Sequence, residues 1–483
     1  MAKHTLMSNS KIKVIIFGTG EYYKRYNKWL ELADIVALLD NDSSVQGTFI
    51  DGVKVYSPGE VSTFDYDYIY ILSLREKEMR SQLLRLGVKS EKIKSWKNFI
   101  IDYQYYANKK IKKYFSNKVH CKEEKSDVLF ITDNLERTGG NIAGMYMAQA
   151  IYDSGYNVTI ASYKDGPLRK YDIFDKFEFI IDPNLQVETL ADIENINKYK
   201  AIVLNTIYLY LMLLRRPTDI PVLWWLHEPR DIYYFISEKE IELIENKNLY
   251  IYAVSDFARE AFYSVSKKFK IGILPLGEPD FTRLYRFKQS RRRKRITFGV
   301  AGVISQIKGQ EILLRAIRKL STKDLNKSEF WFAGNAESSF GKKIIDEISS
   351  LNENIRYLGE LGEEEMPKFY NDIDVLIVPS ITETLSMTSI EAMMFKKMSI
   401  VSSGAGISSF IENLYNGIIF QNKNEEELTK TISYCLNNID EVKSIGYNAR
   451  KLYEEMFEFE HFKGSIKEIL FRLLSRNVEN EDD

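Results

Sequence analysis

Short, uninterrupted apolar runs that each stop at a glycine or a polar turn, and then give way to a helix-forming stretch, recur along this chain. Val14 to Phe17 stops at Gly18, Val128 to Ile131 at Thr132-Asp133, Ala201 to Leu204 at Asn205, Val222 to Leu226 at His227, and Val375 to Val378 at Pro379. Runs of this length suit strands buried on both faces, and strands alternating with helices imply a parallel sheet covered by helices on each side. At 483 residues the chain exceeds what one core serves, so two or three such domains are expected.

Three α/β units follow one another. The first opens with Lys11 to Gly18-Thr-Gly20, then a helix through Tyr22, Tyr26 and Leu30, and a strand from Ile35 ending at Asp40. An acid about twenty residues beyond the first glycine is the general layout of a mononucleotide-binding fold, although no third glycine stands near Arg25. A strand Tyr66–Leu72 and a helix from about Arg75 to Leu86 continue the alternation. The series Gly18, Gly20, Asp40, Asn41, Asp42, Gly52 and Val55 resembles the small Rossmann-like domains attached to sugar-modifying enzymes. That resemblance implies a bound nucleotide or sugar-nucleotide, with a degenerate docking domain as the alternative.

A lysine- and tyrosine-rich stretch, with Lys109, Lys110, Lys112 and Lys113 beside Tyr105, Tyr106 and Tyr114, predicts a linker helix. It is either solvated or laid on an anionic membrane face. The second unit runs from the strand Val128–Thr132 through Arg137-Thr-Gly139-Gly140-Asn141 into a helix Met145–Ile151, and later reaches His227-Glu228-Pro229. Basic residues crowd Arg283 to Arg295, where an inter-domain hinge is expected. The third unit starts at Ile296 and runs through Gly302, Lys308-Gly309, Gly334-Asn335 and Tyr357-Leu358 to Pro379 and beyond. The expected division is an accessory domain over 11–103, a basic linker helix over 104–125, and two larger domains over 126–285 and 286–455. A C-terminal helix over 456–476 packs back across the cleft.

Composition narrows the function classes. A formal net charge of -1 argues against a dedicated nucleic-acid binder. Cys121 and Cys435 match no metal spacing, and the four histidines, His4, His120, His227 and His461, form no H-x-x-x-H pair, so no metal is expected. No leader-like apolar core opens the chain and no run approaches ~18 apolar residues. The expected location is the cytoplasm, with any membrane contact peripheral and made at the inner face through the basic stretches.

Glu383 and Glu391 flank a strand-to-helix turn, in Pro379-Ser-Ile-Thr-Glu383-Thr384-Leu385-Ser386-Met387-Thr-Ser-Ile-Glu391. Glu391 lies about two helical turns beyond Glu383, so both carboxylates are expected to face the mouth of the sheet. The N–H groups of Thr384, Leu385, Ser386 and Met387 at the helix start suit a diphosphate. This arrangement resembles the E-x7-E motif of the retaining family-4 glycosyltransferases with the GT-B fold. The order of the other motifs strengthens the resemblance from about Ser126 to Leu474: a glycine-rich loop, His-Glu after a strand, V-S-D, L-P-x-G and G-x-x-x-x-x-K-G.

The resemblance implies two Rossmann-like domains facing across a cleft, preceded here by the small extra α/β domain. It implies that Lys308, between Gly302 and Gly309, stabilises the departing diphosphate, that Glu391 accepts the ribose hydroxyls, and that Glu383 and His227 contact the transferred sugar. Gly139, Gly140 and Asn141 would form an acceptor or diphosphate loop, and backbone groups around Asn335, Tyr357 and Leu358 would read the base. The family's arginine after the first glycine is Val303 here. The implied reaction is transfer of a hexose-type sugar, with retention and without a metal, from a nucleotide-sugar, a UDP-sugar first. The acceptor would be a glycan, a lipid or a protein in bacterial surface polysaccharide assembly, and the nucleotide-sugar is a substrate, so no cofactor is expected. A homo-oligomer or a partner transferase is compatible with this reading. Two rivals stand beside it: a non-catalytic GT-B-like subunit that stabilises a partner transferase, and a nucleotide-sugar oxidoreductase or epimerase using Tyr105 with Lys109 or Tyr106 with Lys110.

Overall fold

The structure, a computed structural model, describes residues 12–20, 23, 33–73, 75–95, 98, 111–115, 127–186, 188–285, 295–362 and 364–475. The expected helix through Tyr22, Tyr26 and Leu30, the pairs Tyr105/Lys109 and Tyr106/Lys110, and the basic run Arg286 to Lys294 lie outside the described residues. The chain divides into two compact units, residues 1–112 with 182–188, and residues 113–181 with 189–483.

The first unit holds a six-stranded sheet in the order Phe49–Ile50, Val53–Tyr56, Asp34–Leu39, Lys13–Phe17, Tyr68–Ile71, Ile93–Ser95. Its pairings are parallel apart from the hairpin Phe49–Ile50 with Val53–Tyr56. Alternate side chains of one strand enter opposite cores. Val14 and Ile16 pack with Leu38, Val55 and Tyr70, while Ile15 and Phe17 pack with Ala37, Leu39 and Ile69. Asp40 closes onto the glycine turn: one carboxylate oxygen accepts from the Thr19 N–H at 2.8 Å and the Thr19 hydroxyl at 2.6 Å. The other accepts from the Asp42 N–H at 3.0 Å.

The second unit contains two sheets. One has eight strands, ordered Ile271–Ile273, Leu249–Ala253, Val222–Leu226, Ala201–Leu204, Asp127–Asn134, Asn157–Lys164, Glu178–Ile181, Lys112–Tyr114. The other has six, ordered Ile355–Tyr357, Ser328–Ala333, Ile296–Ala301, Val375–Val378, Met398–Ser402, Ile418–Phe420. Helices that matter below are α1 (Gly139–Asp153), α2 (Glu365–Asp372), α3 (Met387–Met394), α4 (Ile439–Leu452) and α5 (Phe459–Ser475). Among the described residues no helix is long and apolar enough to cross a membrane.

Two local expectations are corrected. The described part of the basic linker is a strand, Lys112–Tyr114, hydrogen-bonded beside Glu178–Ile181, and not a helix. A sheet edge offers unpaired N–H and C=O groups, and Tyr114 gains a ring contact with the Arg169 guanidinium at 3.8 Å. Gly139 and Gly140 form the first turn of α1, six residues before the expected start at Met145. Thr138 caps that turn by accepting from the Asn141 N–H at 3.4 Å, which compensates for the poor helix propensity of glycine.

The linker between the two halves of this unit is held by the returning C-terminal segment. The Glu278 N–H donates to the Phe457 carbonyl at 2.8 Å, and the Phe459 N–H donates to the Glu278 carbonyl at 3.0 Å. The Tyr453 hydroxyl donates to that same carbonyl at 2.9 Å. Phe462 of α5 stacks on Trp225, and Phe459 meets Tyr146 of α1 edge-on, so α5 lies on the half that precedes the linker.

Candidate active site

In the six-stranded sheet of the second unit the strand order reverses between Ile296–Ala301 and Val375–Val378. The crevice beyond the carboxyl ends of two such strands is where open α/β sheets hold ligands. The loops leaving these strands are 302–309 and 379–386, and they carry Lys308 and Glu383. Lys308 ends a short 3-10 turn and is followed by Gly309, whose φ of 69° is left-handed. A Cβ there would stand 2.0 Å from the Pro379 carbonyl oxygen, so only glycine lets the two loops close. The Ile381 N–H then donates to the Ile307 carbonyl at 2.8 Å. Lys308 Nζ meets Glu383 Oε1 at 2.5 Å, and the Ser380 hydroxyl donates to Glu383 Oε2 at 2.7 Å.

The N–H groups of Thr384, Leu385, Ser386 and Met387 find no acceptor among the described residues, and they stand at the positive end of α3. One turn into α3, Glu391 Oε2 accepts from the Tyr370 hydroxyl of α2 at 2.5 Å. Burial raises the Glu391 carboxyl to about 7, against the opposing pull of that bond and of the Arg137 charge. Glu278, fully buried beside this pair, has neither carboxylate oxygen hydrogen-bonded among the described residues. Burial, and then the neighbouring Glu391, hold the Glu278 carboxyl well above the usual carboxylate range.

The eight-stranded sheet has its own reversal, between Asp127–Asn134 and Ala201–Leu204, and the two crevices meet. The Thr384 hydroxyl donates to the His227 carbonyl at 2.6 Å, and the Ser255 hydroxyl donates to the Thr384 carbonyl. A Cβ added at Gly139 would lie 3.2 Å from Met387 Sδ, and one at Gly140 would lie 3.7 Å from the His227 ring. Gly139, Gly140, His227, Lys308, Glu383 and Met387 are therefore brought together around one cleft.

The His227 ring has a fixed tautomer. Asn205 Nδ2 donates to the Gly140 carbonyl at 3.1 Å, which turns Asn205 Oδ1 toward His227 Nε2 at 3.0 Å. A carboxamide oxygen only accepts, so Nε2 carries the proton and Nδ1 keeps a lone pair. Burial drives the ring pKa down to about 3, so the imidazole is neutral at neutral pH. The arrangement offers a neutral acceptor at His227, a cation at Lys308, carboxylates at Glu383 and Glu391, and free backbone donors between them.

Other residues singled out from the sequence are engaged by the protein. Asn141 is buried, and its amide donates to Asn134 Oδ1 at 2.7 Å and the Glu136 carbonyl at 3.0 Å, so it braces the loop. The Asn335 amide donates to Glu360 at 2.9 Å, and its carbonyl accepts from the Ile304 N–H at 2.8 Å. The Tyr357 hydroxyl donates to the Gly334 carbonyl at 2.7 Å, while the Leu358 side chain is 38% exposed. Gly302 has φ 133° and begins the Lys308 loop.

Sequence reasoning gave no role to Asn205, Thr206, Glu228, Glu278 or Tyr370. Asn205 and Thr206 lie just past a strand end at the reversal, a signal visible only once the strand order is known. Glu228 accepts from the Thr206 hydroxyl at 2.5 Å, the His227 N–H at 3.0 Å and the Ile207 N–H at 3.2 Å. Burial nonetheless raises its carboxyl to about 7.

That shift has a defined sign. Between the ordinary value near 4.5 and about 7 the unfolded chain releases this proton and the folded one keeps it, so Glu228 lowers stability as pH rises through that window. Glu228→Gln keeps the contacts, with the amide oxygen on the backbone N–H groups and the amide nitrogen on Thr206. The variant should therefore match the wild type in urea unfolding near pH 4.5 and exceed it by up to ~3 kcal/mol at pH 8. Equal stability at pH 8 would show that Glu228 ionises freely in the fold.

Two α/β halves meeting at the carboxyl ends of their sheets, with a C-terminal helix returning across the cleft, define the GT-B fold. Residues 281–452 match the family of glycosyl transferases group 1, and residues 10–94 match the C2185-like N-terminal family. An uncharacterised glycosyltransferase of Methanocaldococcus jannaschii is 25% identical over 174 residues, 36% of this chain and 47% of that protein. The lipopolysaccharide 1,2-N-acetylglucosaminetransferase of Salmonella typhimurium is 30% identical over 118 residues, 23% of this chain and 31% of that protein. The chain thus spans less than half the length of these curated relatives. Among solved structures, Anabaena HepE in complex with UDP-glucose superposes with a TM-score of 0.58 at 16% identity, covering 72% of this chain and 99% of that one. At that identity the likeness is one of fold.

Proposed function

We propose that this chain is a retaining, metal-independent glycosyltransferase. It moves a hexose-type sugar from a nucleotide-sugar, a UDP-sugar first, to a glycan, lipid-linked or protein acceptor in bacterial surface polysaccharide or glycoconjugate assembly at the cytoplasmic face of the membrane. Residues 126–285 serve as the acceptor half and 286–455 as the donor half. The observation that carries this reading is the Lys308–Glu383 pair at 2.5 Å, set beside the free N–H groups of α3. A donor diphosphate takes Lys308 from Glu383 and lies on the helix start, where its negative charge is stabilised. Glu383, released, accepts from a hydroxyl of the sugar, and His227 Nδ1 accepts from another. Glu391 accepts the ribose hydroxyls once ionised. In front-face attack the leaving phosphate takes the acceptor proton, which needs neither a metal nor a protein nucleophile.

Purified protein heated with UDP, GDP, ADP or dTDP tests the donor class. The correct nucleotide at about 100 times its dissociation constant adds ~2.7 kcal/mol of stability. Glu391→Ala loses that gain and turns over at least ~10-fold more slowly, the cost of one charged hydrogen bond. Unchanged turnover in that variant sinks the assignment. Val303, 56% exposed where the resembling family carries an arginine, favours the second reading, a non-catalytic partner of another transferase. Sugar release by the purified chain alone separates the two.

A further inference from the structure

We propose that Arg137, reaching across from the acceptor half, supplies the positive charge for the donor diphosphate that the donor half lacks; this rests on reading the cleft as a nucleotide-sugar site. A diphosphate brings a negative charge on each phosphorus. The described loops after five strands of the donor sheet, 302–309, 334–338, 358–362, 379–386 and 403–406, contain one cation, Lys308. Its ammonium is already paired with Glu383. Val303 presents an apolar side chain at that rim, and Lys423 follows the edge strand Ile418–Phe420. On the donor half the charge is therefore incomplete.

Arg137 is placed to complete it. It is exposed, in the loop between Asp127–Asn134 and α1, at the reversal point of the acceptor sheet. Two residues on, Gly139 abuts Met387, the first residue of α3. Met387 and Glu391 are one turn apart on the same face of α3, and the Arg137 charge acts on Glu391. The Arg137 loop therefore touches the first residue of α3 through Gly139, and its charge is felt one turn further on at Glu391, on the side of the free N–H groups of Thr384 to Met387. A planar guanidinium suits the task, since it can give two parallel hydrogen bonds to phosphate oxygens.

The test is calorimetric binding of UDP, GDP and ADP, each against its monophosphate, to the full chain and to Arg137→Gln, Arg137→Lys and Lys423→Gln. For the nucleotide the wild type binds best, Arg137→Gln should lower the diphosphate-to-monophosphate affinity ratio about tenfold. Arg137→Lys should restore part of it, and Lys423→Gln should leave it unchanged. An unaltered ratio in Arg137→Gln, or a loss confined to Lys423→Gln, overturns the proposal while the donor-site reading stands. Wild-type protein that binds no nucleotide overturns both.

Discussion

Lys308→Ala is expected to lower sugar transfer about 10²–10³-fold, the range found when one preorganised donor to a developing anion is removed. The ammonium meets Glu383 in the cleft, and on the proposed reading it turns to the donor diphosphate, where charge grows as the glycosidic bond breaks. That is an interaction stronger in the transition state than before it, so kcat should fall more than KM rises. Lys308 is 30% exposed and Glu383 keeps the Ser380 hydroxyl, so the variant should remain folded. Lys308→Arg retains the charge with a different shape and should recover part of the rate. Release of nucleoside diphosphate, followed with time for each variant, gives kcat and KM. Wild-type turnover in Lys308→Ala would remove Lys308 from the mechanism.

Arg450→Ala should destabilise the protein by about 3–5 kcal/mol, the cost of leaving one partner of a buried ion pair behind. Arg450 of α4 meets Asp280 of the linker at 2.5 Å, with side-chain exposures of 12% and 2%. The same guanidinium donates to the Met394 carbonyl at the end of α3 at 2.8 Å, so one residue ties the linker, α3 and α4 together. Burial works against ionisation of Asp280, but the bonds from Arg450 and Thr282 outweigh it and hold the carboxyl below the usual carboxylate range. A lowered value means stability present above the ordinary carboxylate pKa and lost as pH falls through the folded one. Arg450→Ala should therefore lose most at neutral pH and converge on the wild type in acid, while Asp280→Asn with Arg450→Met should recover much of the loss. Urea unfolding across pH measures this. A loss under ~1 kcal/mol at pH 7 would put the pair on a par with a surface salt bridge.

Much of the half built on the six-stranded sheet from Ile296 onward was legible from residues alone. Gly302, Lys308, Gly309, Glu383 and Glu391 sit at strand ends or helix starts, and apolar runs, glycines and helix starts are local signals. The loop at Gly139 and Gly140 was less legible, because the two glycines suggest a turn until the Thr138 cap and the contact with Met387 draw them into a helix. The strand Lys112–Tyr114 was lost to its lysines, since nothing local announces a free sheet edge 60-odd residues away. Tyr370, Glu278 and Asn205 gave no signal at all: each acquires its significance from a partner distant in sequence.

The sequence by itself determined most of the central strands and which residues stand at their carboxyl ends, because side-chain period and turn chemistry act within a few residues. Only the tertiary structure decided where each sheet reverses its order, and so which of those ends form a crevice. It alone set Thr384 against His227, Tyr370 under Glu391 and Arg450 on Asp280. It alone set the directions in which the His227, Glu228 and Glu278 pKa values shift, because desolvation and charge act through space, and a buried group's surroundings come from every segment the fold brings to it.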